Sequence, residues 1–383
     1  MINKHLLTKE VQDYINANRS MDLHSLLLKK SPFSELKMQE IVQQMKGKQV
    51  AEKKFPFLLK QGIVFPRKLS LEQSSSTPTA EYKQSLASGE TMVDLTSGFG
   101  IDAYFLGQDF KEVSLVERQK ELLEIVQHNW SVLGREAQFI NEDLQSFLER
   151  NQQEFDVVYL DPARRNEQQR KVFLLEDLSP NVLAIQNQLL RIGKQVLVKL
   201  SPLIDISYLI DSLLFVKEIH IVAVKNEVKE LLVLMERDFI GQVKVKSVNL
   251  QTNEPDFVFN NNEHYAEITY SDVLDYLYIP NNAVLKSGNF KGIAEKYNLS
   301  KLHPNTHFYT SENQLNQFSG RILKVEKITA KQIEKGAYYN IISKNHPLKP
   351  AQIKKKYNLK DGGNRYLIFT QSKKGKIILK SLL

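Results

Sequence analysis

Four acidic residues, Asp94, Glu117, Asp143 and Asp161, recur along the chain at gaps of 23, 26 and 18 residues, each at the end of a short β-branched run. Around the first lies Asp94-Leu-Thr96-Ser-Gly98-Phe99-Gly100-Ile-Asp102, placed where a strand runs into a helix. Glycines there let the backbone turn tightly and approach a ligand without a Cβ clash, and amides at a helix start can receive a polar group. Taken singly, each acid reads as a helix cap and the glycine loop as an ordinary strand-to-helix turn. Taken together, they line the carboxyl edge of one parallel sheet, the edge at which open α/β sheets bind ligands. Glu117 closes Val-Ser-Leu-Val-Glu, where a carboxylate can accept hydrogen bonds from both hydroxyls of a ribose. Asp143, in Asn141-Glu142-Asp143-Leu144, stands where a side-chain acceptor and a backbone amide could clamp an adenine edge. The spacing Gly98-x-Gly100-x-x-Ala103 keeps a dinucleotide in play beside S-adenosylmethionine.

The fourth acid opens Asp161-Pro162-Ala163-Arg164-Arg165. Proline fixes φ and removes a donor, so the chain after the strand is held stiffly while Asp161 and the following carbonyls point outward. That suits a site that works by position. Methyl transfer from a sulfonium is an in-line displacement in which the protein aligns the nucleophile's lone pair, and Asp161 would accept a hydrogen bond from an amine and orient it. The plain alternative is a solvent-facing Asp-Pro turn. Lys199 and Ser201, in Lys-Leu-Ser-Pro after a later strand, would line the same mouth with Arg165. Lys199 is equally readable as a satisfied strand-end lysine.

The elements that must position these groups follow from periodicity. Short β-branched runs alternate with amphipathic helices from about residue 90, the pattern of βαβ units. The expected strands are 91–95, 112–117, 137–141, 156–161, 195–200, 218–224 and 230–236. Only Lys-Asn-Glu-Val-Lys separates the last two, too short for a crossover helix, so they form an antiparallel hairpin. The fold class is α/β, a Rossmann-like sheet of seven strands with one reversed. Before it, residues 1–70 read as a helical domain, with a helix start at Ser31-Pro32 followed by Glu35. Pro66, the Ser74–Thr77 run and Pro78 break the period and mark a connection. The α/β domain is placed at 71–238. Residues 239–310 read as a small α+β domain, ferredoxin-like in outline, with strands in VKVKSVNL, PDFVFNNN and HYAEITY and then a turn and helix. Residues 311–383 read as a basic α+β module with helices at AKQIEK and PAQIKKKYNL, a turn at DGGN and a terminal hairpin.

The 383 residues are 42% hydrophobic and 25% charged, an ordinary globular mix. With no cysteine there is no thiolate nucleophile, disulfide framework or iron–sulfur cluster. No metal site is expected: His303 and His307 are four apart but flank Pro304 and lack nearby carboxylates. No HExxH, P-loop or nucleophile elbow supports a hydrolase or kinase. An N-terminus without an apolar leader and the lack of any membrane-length apolar run lead to the expectation of a cytoplasmic protein with no membrane partner. The net charge of +8 is segregated. Residues 1–70 carry 13 Lys/Arg against 6 Asp/Glu, residues 71–320 carry 23 against 35, and residues 321–383 carry 16 against 3. A polyanion would be held by the two ends.

The order D-L-T-S-G-F-G, L-V-E, N-E-D-L and L-D-P-A-R-R, with the reversed hairpin, resembles a class I S-adenosylmethionine-dependent methyltransferase over residues 70–238. The whole chain resembles bacterial methyltransferases with a C-terminal THUMP-like domain, the latter on Lys344-Asn-His-Pro-Leu through Gly362-Gly363-Asn-Arg365-Tyr-Leu-Ile-Phe. The resemblance implies S-adenosylmethionine as cofactor, its methionine end on Asp94, Thr96, Gly98, Phe99, Gly100 and Asp102. It likewise implies Glu117 and Arg118 at the ribose and Asp143 and Leu144 at the adenine. EQSSSTPTAEYKQ is similar to a segment that closes over the cofactor in related RNA enzymes, which implicates Gln73 and Thr79. Asp161 to Arg164 is similar to the Asp/Asn-Pro-Pro-aromatic motif of enzymes that methylate exocyclic amines. Ala163 replaces the second proline and Arg164 the aromatic, and a guanidinium can itself stack on a base or bind phosphate. RNA, a tRNA or rRNA, is the implied partner, with methyl transfer to a base nitrogen. Two rivals stand: a nicotinamide-dependent reductase, and a noncatalytic RNA-binding factor on a methyltransferase fold. The oligomeric state is not legible.

Overall fold

The computed structural model describes residues 2–67, 71–72, 74–164 and 174–382. They form two compact units, one of residues 1–219 with 230–241, the other of residues 220–229 with 242–383.

The first unit begins with helices α1 (Lys9–Asn18), α2 (Leu23–Leu27) and α3 (Met38–Lys54). Apolar residues at helical spacing, among them Val11, Ile15, Leu26, Ile41 and Met45, bury one core between them. The expected helix start at Ser31 is displaced to Met38. The Ser31 hydroxyl instead accepts the Phe33 N–H at 3.1 Å, a local turn that competes with the helix, and the Glu40 carboxylate receives the Lys37 N–H at 2.9 Å. The stretch around Pro78 forms helix α4 (Thr77–Gln84), because proline in the first turn lacks only a donor that the helix would leave unused.

The α/β layer follows: β1 (Thr91–Asp94), α5 (Ile101–Leu106), β2 (Glu112–Val116), α6 (Lys120–Val132), β3 (Gln138–Ile140), α7 (Leu144–Arg150), β4 (Phe155–Leu160), the two-residue strands β5 (Ala163–Arg164) and β6 (Leu178–Ser179), α8 (Val182–Ile192), β7 (Gly193–Leu200), α9 (Ile206–Ser212), β8 (Val216–Val224) and β9 (Glu227–Glu236). Seven strands of a nine-stranded sheet run in the order β3-β2-β1-β4-β7-β9-β8. β1, β2, β3, β4 and β7 are mutually parallel, and β9 is antiparallel to β7, with Leu200 opposite Leu231. Met92, Val93, Val157, Val158 and Val196 to Val198 are all buried, as expected of central strands covered on both faces. Lys225 and Asn226, at φ 48° and 69°, close β8 onto β9 in a two-residue turn whose twist matches the strands. The seven expected strands, one of them reversed, are thus present within a sheet of nine described strands. Its hairpin turn is shorter than the five-residue connection that the sequence suggested.

In the second unit β10 (Lys244–Leu250) pairs antiparallel with β11 (Phe257–Asn260). A second sheet contains β12 (Tyr276–Pro280), β13 (Ser300–His303), β14 (Thr306–Ser311), β15 (Gly320–Ile328), β16 (Tyr338–Ser343), β17 (Lys360–Ser372) and β18 (Gly375–Ser381), in the order β13-β14-β12-β15-β18-β17-β16. Its helices are α10 (Asn282–Ser287), α11 (Phe290–Lys296) and α12 (Pro350–Tyr357). Three expectations change here. HYAEITY is not a strand: only Tyr270 bridges to Lys301, and the Ala266 N–H goes to the Glu295 carboxylate at 2.8 Å instead of to a neighbouring strand. The DGGN segment is not a turn but a bulge inside β17, which Gly362 and Gly363 absorb at φ 109° and 75°. AKQIEK yields only a three-residue 3-10 turn at Ala330–Gln332. Among the described residues no helix is long and apolar enough to cross a membrane.

Candidate active site

Parallel strands β3, β2, β1 and β4 lie side by side, so the residues that follow their last positions share one edge. Asp94 ends β1, Glu117 directly follows β2, Asp143 stands three residues past β3, and Asp161 directly follows β4. The tips are stitched crosswise. The Thr96 hydroxyl accepts the Asp161 N–H at 2.7 Å, and the Asp94 carboxylate accepts the Thr96 N–H at 2.9 Å. Glu117 accepts the Gly98 N–H at 3.1 Å and the Gln119 N–H at 2.8 Å, while Asn141 donates to the carbonyls of Glu117 and Arg118.

The two glycines of the loop do different work. Gly100, at φ 72°, caps α5, and a Cβ on it would lie 2.7 Å from Val126 and 3.1 Å from Trp130, so its backbone packs against α6. Gly98, at φ 50°, has only the Thr96 carbonyl within reach of its Cβ position, at 3.8 Å, and faces open space. Beside it the Ser97 hydroxyl is buried without a hydrogen-bond partner. An open glycine next to an unpartnered buried hydroxyl is a cradle for a polar ligand. Phe99 is buried near Phe55 and Phe65, with ring centroids 6.3 and 6.4 Å away.

Asp143 is exposed and caps α7, accepting the Ser146 N–H at 3.1 Å and the Ser146 hydroxyl at 2.6 Å. Those hydrogen bonds hold its carboxyl below the usual range. Leu144 is the first residue of α7, and Arg118 is exposed beyond β2. Thr79 is buried in α4 with its hydroxyl on the Ser76 carbonyl, and Ser201 is half-buried beyond β7. Pro162 is buried and Ala163 exposed. Gln73 and Arg165 lie outside the described residues; Arg164 is described only as the backbone of β5.

Beneath the tips runs a chain of charges that the sequence reading did not find. Glu230 on β9 accepts from Lys83 of α4 at 2.5 Å, and Lys83 reaches Asp102 of α5 at 3.3 Å. Asp102 lies 3.5 Å from Lys199 of β7, and Lys199 donates to Asp161 at 2.5 Å. Asp102 also accepts the hydroxyls of Ser75 and Tyr159, each at 2.8 Å. Lys83 and Glu230 are 0% and 5% exposed at the side chain, so the pair is sealed from water. Burial alone would lift the Asp102 carboxyl, but the two lysines hold it far below its ordinary value. Burial likewise opposes the charge on Lys199, yet Asp161 and Asp102 keep that ammonium firmly protonated. Among the described residues no cation pairs with Asp94, and burial pushes its carboxyl well up despite the Thr96 amide. The only local signal for this chain was an acid, Glu230, heading the apolar run Leu-Leu-Val-Leu-Met.

Residues 81–194 match the family described as conserved hypothetical protein 95, residues 276–318 a ferredoxin-like domain, and residues 320–380 a THUMP domain-like family. A crystal structure from Porphyromonas gingivalis W83, whose protein is provisionally named a methyltransferase, superposes with a TM-score of 0.87 at 29% identity, covering 99% of this chain and 98% of that one. An uncharacterized RNA methyltransferase of Mycoplasma mobile is 32% identical over 92 residues. The chain spans 25% of that relative's length. The α/β unit therefore has a methyltransferase-type Rossmann-like fold, and the C-terminal segment is THUMP-like. The antiparallel β9 also departs from the parallel dinucleotide-binding sheet.

Proposed function

We propose that this chain transfers a methyl group from S-adenosylmethionine to a base nitrogen of RNA. The observation that carries this reading is the shared edge itself: an open Gly98 beside the unpartnered Ser97 hydroxyl, flanked by Glu117 and, through the Thr96 bridge, by Asp161. When bound, the cofactor supplies an electrophilic methyl group carrying the sulfonium's positive charge. Asp94, Thr96, Gly98 and Gly100, with Asp102 behind them, would hold its methionine end. Glu117 keeps lone pairs beyond the two amides it already accepts, and these suit the ribose hydroxyls. Asp143 and Leu144 would meet the adenine, the amides at the start of α7 facing that end of the edge.

Asp161 would then accept a hydrogen bond from the acceptor's N–H and turn the nitrogen lone pair toward the methyl carbon, with Pro162 keeping the tip stiff. Arg164 and Arg165 would approach the base or its phosphate. The RNA part of the reading rests on the basic ends of the chain and on the THUMP-like match. In the second unit Lys360 lies over the exposed ring of Tyr338 at 5.2 Å, which sets a cation beside an aromatic face on the edge strand β16. The name of the Mycoplasma mobile relative agrees with it.

The test has two arms. Calorimetry with S-adenosylhomocysteine checks the pocket, and no binding by the wild type refutes it. Mass spectrometry of nucleosides from total RNA of a deletion strain beside its parent checks the reaction. Loss of one methylated nucleoside supports the reading and names the base, whereas an unchanged RNA methylation profile refutes it.

A further inference from the structure

Resting on that reading, we infer that Lys199 is a positioning residue for Asp161 and does not itself grip the substrate. The register places it there. Leu160 of β4 is level with Val198 of β7, so the next residues along these parallel strands, Asp161 and Lys199, are neighbours. The Lys199 ammonium donates to Asp161 Oδ2 at 2.5 Å, and its side chain is only 13% exposed. Oδ1 of the same carboxylate takes no hydrogen bond from any described residue. One oxygen is thus clamped from below, and the other is left for an N–H arriving from solvent. A carboxylate held by one oxygen loses the rotation that would otherwise swing its lone pairs off line.

The clamp is in turn fixed from behind. Asp102 stands 3.5 Å from Lys199 and is pinned by Ser75, Tyr159 and Lys83, and Lys83 is pinned by Glu230. Five charges therefore alternate in sign from β9 to the tip of β4. Ser75 precedes α4 and Lys83 lies within it, so the segment thought to lie over the cofactor is tied to the same chain. Among the described residues the groups that bear on the protonation of Asp161 include Lys199 itself, Asp102 from α5, Lys83 from α4, Asp94 from β1 and Tyr159 from β4. Of these, Lys199 is the cation in direct contact, and burial already favours the neutral acid.

The experiment uses the full chain labelled with 13C at aspartate carboxyls, with Asp161→Asn to assign the signal. Lys199→Met should move the Asp161 titration upward by about 1–3 pH units, the span that a contacting opposite charge commands. Lys199→Arg should leave it near the wild-type position. Single-turnover transfer by Lys199→Met should fall at least tenfold near pH 6 and recover as pH rises, with the RNA KM and S-adenosylhomocysteine affinity within twofold of wild type. Lys199→Gln keeps a donor without the charge, and its titration should shift the same way; this variant decides the matter if Lys199→Met does not fold. An unmoved Asp161 titration overturns the inference, as does a raised RNA KM with an unchanged pH profile, which would make Lys199 a substrate contact. A shifted titration in a protein that methylates no RNA would uphold the clamp and refute the proposed reaction instead.

Discussion

Replacing Lys83 by methionine tests whether the buried charge chain is as tightly balanced as its geometry implies. Lys83 is fully buried and stands between two carboxylates, Glu230 at 2.5 Å and Asp102 at 3.3 Å. Methionine has nearly the same reach but no charge, so the variant leaves Glu230 without its cation in a site from which water is excluded. Removing one partner of a buried ion pair costs about 3–5 kcal/mol, because the charge left behind is buried and uncompensated. Asp102 keeps Lys199, Ser75 and Tyr159, so the cost should concentrate on Glu230. Burial already raises the Glu230 carboxyl above its ordinary range, with Lys83 opposing the rise. Without Lys83 it rises further. A carboxyl raised in the folded state gives stability that is present below its unfolded value and lost as pH rises through its folded value. The deficit of Lys83→Met should therefore be smaller at pH 5 than at pH 8, and Lys83→Met with Glu230→Gln should recover about half of it at pH 8. The single tryptophan, Trp130, is buried in the same unit and reports its unfolding in urea. A loss under about 1 kcal/mol at pH 8, or a deficit that does not change with pH, would refute the reasoning.

Gly98→Arg, filling the open side of the loop, should abolish S-adenosylhomocysteine binding in calorimetry, at a cost in urea unfolding of about 1–2 kcal/mol for its left-handed backbone at φ 50°. Gly100→Ala should keep that binding but lose more stability, because a Cβ 2.7 Å from Val126 adds about 1–3 kcal/mol to the same backbone strain, readable in the same Trp130 transition. Asp161→Ala should bind S-adenosylhomocysteine as wild type yet transfer methyl groups at least a hundredfold more slowly in a tritium-incorporation assay, an oriented catalytic group being worth about that much. RNA affinity measured by filter binding should drop more than tenfold between about 50 and 200 mM salt, as expected when several lysines displace counterions.

Much of the α/β unit was legible because its information is local. Each strand is a short run of β-branched and apolar residues, and an acid or glycine after such a run lands at the strand's carboxyl end whatever surrounds it. Asp94, Glu117, Asp143 and Asp161 could be placed on one edge for that reason alone. The shortness of the link to the last strand likewise forced a reversal. Local rules misled where the deciding partner was distant. Ser31-Pro32 carries the signs of a helix start but is taken by its own turn, and DGGN has the composition of a turn yet is carried as a bulge in β17, because β16 pairs with β17 on both sides of it in sequence.

The amino-acid order by itself determined the sheet, its reversed strand and the row of acids at its edge, since period and loop length act between near neighbours. Only the folded chain decided what those acids do. Lys83 and Glu230 are 147 residues apart, and no pattern in either segment announces the other. Their pairing, the packing of Phe99 near Phe55 and Phe65, the use of Asp143 as a cap and the clamping of Asp161 by Lys199 arise from burial. Charges removed from water must find opposite charges, and which ones they find depends on which elements the fold brings together.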